Sequence, residues 1–139
     1  MRKIFIDTGA YLSYYHKKDT HHQKSVETWK NIIQVTKNRL ITTHHIIDEL
    51  ATLLGRKKDY QYAAGKIKKI FNSNCIIERT HEIDERMALE LFEKYADQQI
   101  SFTDCLSFVV MQQQNIQTVF TFDKHFQYAG FEVIPPLYN

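Results

Sequence analysis

Short apolar runs alternate along this chain with longer stretches whose apolar residues recur every three or four positions. Lys3 to Ile6 is an apolar run ended by Asp7-Thr8-Gly9, the pattern of a buried strand meeting a turn or helix start. A helix is predicted from there through Tyr15, stopping near Lys17-Lys18-Asp19. Thr20 is placed to cap a second helix that carries Val26, Trp29, Ile32 and Ile33 at helical spacing. Leu40-Ile41-Thr42 reads as a short strand. His44 to Leu54 is helical through Ile46, Ile47, Leu50, Ala51 and Leu54, with Gly55 as the expected stop. Another helix is predicted over Tyr60 to Phe71, then a strand at Cys75-Ile76-Ile77.

Ile83, Met87, Leu91 and Tyr95 define a further helical stripe. Ser101 opens a helix that sends Leu106, Val109 and Val110 to the core. Thr118 to Thr121 is a fourth strand, Asp123 to Ala129 a short helix closed by Gly130, and Phe131 to Ile134 a last strand before Pro135-Pro136. Strands alternating with helices predict an α/β fold, with helices on both faces of a mostly parallel sheet of about five strands.

Composition narrows the class. A chain of 139 residues, 43% apolar and 24% charged, is expected to form a single domain over 1–139. No apolar stretch is long enough to span a membrane, and the N-terminal run is too short for a secretory signal, so a cytoplasmic location is expected. Cys75 and Cys105 lack metal-ligand or redox spacing and read as reduced thiols. A net charge of +2 does not select a partner. Local charge says more: Arg56, Lys57, Lys58, Lys66, Lys68 and Lys69 crowd one region and interleave with Tyr60 and Tyr62. Such a patch suits phosphates with a ring stacked on a base, although a solvated helix face has the same composition.

The chemistry sits where elements change. Asp7 and Asp123 follow apolar strands, Asp104 opens a helix, and Glu49 lies one turn into a helix that follows a strand. Singly, each has a plain structural use. Asp7 and Asp123 can cap the helices beside them, and Ser101 with Asp104 has capping-box spacing. Glu49 can sit at the solvated margin of its helix, and periodicity alone does not separate it from Asp48. Together, at the carboxyl ends of parallel strands, the acids would repel one another unless a hard cation lay between them. If the strands carrying Asp7 and Asp123 are neighbours, these side chains lie within roughly 5–10 Å.

Four segments, spread over nearly the whole chain, resemble the PIN-domain nucleases and most closely the VapC-like toxins of toxin–antitoxin pairs. They are Ile4-Phe5-Ile6-Asp7-Thr8, Ile46-Ile47-Asp48-Glu49-Leu50, Ile100-Ser101-Phe102-Thr103-Asp104-Cys105, and Val119-Phe120-Thr121-Phe122-Asp123-Lys124-His125-Phe126 followed by Gly130-Phe131. The resemblance selects Glu49 over Asp48 and implies a three-layer α/β/α fold. It implies that Asp7, Glu49, Asp104 and Asp123 hold Mg²⁺ or Mn²⁺, with Thr121 and Asp97 as supporting candidates. It further implies endoribonucleolytic cleavage leaving a 5′-phosphate and a 3′-hydroxyl, an antitoxin partner, and a homodimer. Tyr14, Tyr15 and Trp29 are candidates for a partner groove, although core burial is the expected fate of Trp29.

Other readings are weaker. Receiver domains want an acidic pair near the first strand, and haloacid-dehalogenase-like phosphatases want Asp-x-Asp-x-Thr; here Asp7 stands alone before Thr8-Gly9. Metal-free acid–base cleavage needs paired histidines, and His21-His22 and His44-His45 are adjacent rather than one turn apart. The serious alternative is a non-catalytic PIN-like domain that binds RNA or scaffolds a partner.

Overall fold

A computed structural model describes residues 2–137. Five strands form one sheet: β1 (Lys3–Ile6), β2 (Arg39–Thr43), β3 (Ile76–Glu78), β4 (Thr118–Phe120) and β5 (Glu132–Ile134). The order is β3-β2-β1-β4-β5 and every pairing is parallel. The helices are α1 (Thr8–Tyr15), α2 (His22–Gln34), α3 (His44–Lys57), α4 (Tyr60–Phe71), α5 (Glu82–Lys94), α6 (Phe102–Gln113) and α7 (Lys124–Tyr128). One group joins α1 to α2 and α3, and α3 to α4; the other joins α6 to α5 and α7. The whole is a three-layer α/β/α sandwich.

The central strand is apolar because it is covered on both faces. Ile4, Phe5 and Ile6 are fully buried, so alternation is lost as expected of parallel sheets. Phe108, Phe120 and Phe126 continue this core under α6 and α7. The α1–α2 joint is polar as well as packed: Ser25 Oγ and Trp29 Nε1 both donate to the Ala10 carbonyl, at 3.1 and 3.0 Å.

Chain direction places the site. From β1 the chain moves outward through β2 to β3, then returns to lay β4 on the other side of β1. The crevice beyond the carboxyl ends of β1 and β4 is therefore the topological switch point, where open parallel sheets bind their ligands. Asp7 follows β1 directly, and Asp123 lies three residues beyond β4.

Three expectations are corrected. Gly55 does not stop α3, which runs on to Lys57; Gly55 is buried because the Tyr60 ring lies against it, where a Cβ would meet ring carbons at 2.5 Å. Thr20 is not the cap of α2, which starts at His22; Asp19 instead accepts from the His21 amide at 2.8 Å. The α5 stripe is rotated, with Ala88 buried and Leu91 and Tyr95 packed on the core while Ile83 and Met87 face solvent. In α2, likewise, Trp29 and Ile32 are buried and Val26 and Ile33 are exposed. Periodicity gives the presence of an apolar face, but the packing partner sets its angle.

Candidate active site

Each acid reaches the crevice by a different route. Asp7 occupies the N-cap position of α1 yet makes no capping bond; its carboxylate accepts from Thr121 Oγ1 at 2.6 Å. Thr121 is fully buried, its amide held by the Ile134 carbonyl, and its hydroxyl also accepts from the Asp123 amide at 3.0 Å. One side chain thus ties the end of β1 to the loop after β4. Ser101 Oγ caps α6 by accepting from the Asp104 amide at 3.0 Å, without the reciprocal bond of a capping box. The Asp104 carboxylate is left to face the cluster.

Asp123 does cap: its Oδ1 accepts from the His125 amide at 2.9 Å at the start of α7. Capping and clustering coexist there, since the capping oxygen Oδ1 also lies 3.1 Å from His125 Nδ1 and Oδ2 is left out of the cap. Glu49 is half-buried and accepts from Thr8 Oγ1 at 2.5 Å, whereas Asp48 is exposed. His125 Nδ1 stands 3.3 Å from Asp104 Oδ2 and 3.1 Å from Asp123 Oδ1.

Electrostatics mark the cluster as short of positive charge. Asp7 is 6% exposed and Asp104 8%. Burial, then the Asp104 charge, pushes the Asp7 carboxyl up to about 7 despite the Thr121 bond that favours its anion. Burial, then Asp123 and Glu49, pushes Asp104 up to about 7. Four carboxylates with histidine as their only ion-pair partner among the described residues suit a divalent cation with oxygen-rich coordination. The donor set fits the metal that the sequence implied. Asp104, Asp123 and His125 present ligand atoms within 4.8 Å of one another.

The PIN-domain family model matches residues 4–132. The chain belongs to the PIN-domain family. Within it, this PIN domain is 33% identical over 124 residues to a VapC ribonuclease of Archaeoglobus fulgidus, covering 87% of this chain and 77% of that one. It is 27% identical over 133 residues to the 23S rRNA-specific endonuclease VapC20 of Mycobacterium tuberculosis, covering 96% and 98%. The crystal structure of that VapC20, described as a sarcin–ricin loop cleaving toxin, superposes with a TM-score of 0.83 over 92% of this chain and 95% of that one. Rickettsia felis VapBC2, solved with a DNA fragment from its promoter, shares the fold at a TM-score of 0.67 and 16% identity, over 94% and 96%.

The remaining sequence-derived candidates share no hydrogen bond or ion pair with the four acids among the described residues. Asp97 is exposed on the 3₁₀ turn Ala96–Gln98, and its carboxylate makes no hydrogen bond or ion pair among the described residues. The basic residues line α3's last turn and α4, where Arg56 and Lys57 lie roughly 11 Å of helix rise beyond Glu49. The Lys58 and Lys66 ammonium groups each lie 5.0 Å from the Tyr62 ring centroid, and the Tyr62 hydroxyl donates to the Tyr15 carbonyl at 2.7 Å.

Two residues at the cluster were not singled out from sequence, Thr8 and His125. Each is one or two positions from a predicted acid, but only the closed fold shows which atom each touches. The His44 and His45 rings lie 4.0 Å apart, with His45 Nε2 2.7 Å from Thr80 Oγ1.

A groove outside the site has a volume of about 960 Å³ and runs between α1, α2 and the α4–β3 connection. Tyr11, Tyr14 and Ile33 contribute to its apolar lining, and Lys37, Arg39 and Lys69 to its rim. Trp29 lines it from below while remaining 8% exposed, which reconciles its core burial with a place in the groove.

Proposed function

We propose that this PIN domain is a divalent-metal-dependent endoribonuclease, acting in the cytoplasm as the toxin of a VapC-type toxin–antitoxin pair. The convergence of Asp7, Glu49, Asp104 and Asp123 at the switch point, with the Asp7 and Asp104 carboxyls raised to about 7 by burial and then by neighbouring acids, carries the reading. These four acids hold the ion, Mg²⁺ or Mn²⁺. Bound there, it supplies a water of lowered pKa and offsets charge on the phosphoryl oxygens. Thr121 fixes Asp7, Thr8 fixes Glu49, and the α7 backbone fixes Asp123, so the carboxylates are oriented before substrate arrives. The basic turn of α3 and α4 receives phosphates of the RNA flanking the cut.

The likeness to VapC20 makes the 23S rRNA sarcin–ricin loop the first substrate to test. Cleavage of that loop, run beside unrelated structured and single-stranded RNAs, is expected with Mn²⁺ or Mg²⁺ and is expected to stop in EDTA. Cleavage that persists in EDTA would move the chemistry to the histidines. Binding of RNA without cleavage under any metal would favour the non-catalytic alternative.

Thr121→Val tests the supporting layer. Loss of its hydroxyl removes one bond from Asp7 and one from the Asp123 amide. Metal affinity measured by calorimetry is expected to fall about 10–100-fold, the range for groups that orient ligands. An unchanged affinity would exclude Thr121 from the centre.

The groove between α1 and α2 is the face we assign to the antitoxin. Its apolar lining and basic rim suit an apolar segment carrying acidic residues. A homodimer would have apolar surface available on α5 and α6, where Ile83, Met87, Leu89, Phe92 and Phe102 are exposed. Among the described residues no helix is long and apolar enough to cross a membrane.

A further inference from the structure

Among the described residues, His125 is the one nitrogen donor beside the carboxylates of the centre. Its Nδ1 faces Asp104 from α6 and Asp123 from the loop after β4 at once, at 3.3 and 3.1 Å. The backbone there is anchored on both sides: Phe126, the next residue, is fully buried against Phe108, and the His125 amide is fixed by Asp123. Neighbouring ligands of an octahedral ion with bonds of about 2.1 Å stand about 3.0 Å apart, close to both separations from Nδ1, and the three ligand atoms all lie within 4.8 Å of one another. A protonated Nδ1 donating to both carboxylates has similar distances. The difference between the two states is whether a metal–nitrogen bond forms when the ion enters.

We infer that His125 Nδ1 is a direct ligand of the divalent ion beside Asp104 and Asp123, and that this nitrogen makes the centre prefer Mn²⁺ to Mg²⁺. The inference rests on the metal-centre reading above. Mg²⁺ holds oxygen ligands and water and gains little from imidazole, whereas first-row transition ions accept it readily. Neutral imidazole with its proton on Nε2 presents the Nδ1 lone pair, and the 23% exposed side chain leaves Nε2 free to bond water.

Pulsed EPR of the Mn²⁺-loaded protein tests this without reference to activity. A ¹⁴N coupling of directly bonded strength is expected, replaced by a ¹⁵N coupling when the histidines are ¹⁵N-labelled. It is expected to vanish in His125→Ala and His125→Gln while Mn²⁺ remains bound. Competition titrations are expected to show the Mn²⁺-over-Mg²⁺ preference falling about tenfold in both variants, chiefly through weaker Mn²⁺ binding. Bound Mn²⁺ without direct nitrogen coupling in the unmutated protein would overturn the inference whether or not the variants fold. So would a coupling that survives both substitutions. Absence of any Mn²⁺ binding at millimolar concentration would instead overturn the metal centre itself.

Discussion

Asp104→Asn is expected to reduce RNA cleavage by about 10³-fold or more, a loss of roughly 4 kcal/mol of transition-state stabilisation, while leaving the domain folded. Asp7→Asn is expected to do the same. Both side chains are buried, both face the crevice, and neither is needed to cap its own helix by a side-chain bond. The amide keeps the size of the carboxylate but not the charge that holds a divalent ion. Cleavage retained by both variants would end the carboxylate-centre proposal.

The same substitutions have an opposite effect on stability. Asp7 and Asp104 are raised from 3.8 to about 7 by burial and by neighbouring acids. Between about pH 4 and pH 7 the folded protein therefore keeps protons that the unfolded chain has released. The stability these two groups contribute without metal is fully present below about pH 4 and is lost as pH rises through 7. Added Mn²⁺ or Mg²⁺ is expected to restore it near neutrality, because an ion that binds only the folded state stabilises that state. Metal-free Asp104→Asn is expected to melt higher than the unmutated protein at pH 7.5 and to show a shallower decline with pH. Thermal melts across pH 4–8, with metal and with EDTA, check all three points; a melting temperature independent of pH and metal would contradict them.

Ile33→Glu is expected to weaken antitoxin binding at least about 100-fold and to leave cleavage of free RNA unchanged. Ile33 is 66% exposed on the groove wall, so the substitution costs the isolated domain little. In the complex it would place an unpaired charge against an apolar segment, the kind of loss that dominates interface energies. Lys69→Glu on the rim is expected to slow association mainly, with a weaker effect at high salt. Full inhibition of the Ile33→Glu protein by the antitoxin would remove this groove from consideration.

Much of the fold was legible because parallel strands buried on both faces read as apolar runs, and the helices between them carry their own stripes. Ile4-Phe5-Ile6, Val119-Phe120 and the α3 series were visible in this way. The angle of each stripe was less visible. Val26 and Ile33 of α2, and Ile83 and Met87 of α5, obey helical spacing and still face solvent. A helix that covers only part of the sheet buries only part of its apolar arc, and spacing does not say which part.

For the candidate site, sequence by itself determined the four acids, since each marks a junction between elements and their order matches the PIN pattern. It also placed Thr121 beside them. Tertiary structure decided how the acids are joined, because hydrogen bonds across β1, α3, α6 and the loop after β4 link residues far apart in the chain. Thr121 holds Asp7 across 114 positions, and Thr8 holds Glu49 across 41. It also brought His125 against Asp104 and Asp123, left Asp97 exposed on its 3₁₀ turn, and set the Lys58 and Lys66 ammonium groups each 5.0 Å from the Tyr62 ring. The physical reason is range. Local pattern fixes where a chain turns and which residues stand at its turns, whereas charge, burial and hydrogen bonding depend on what the sheet brings alongside them.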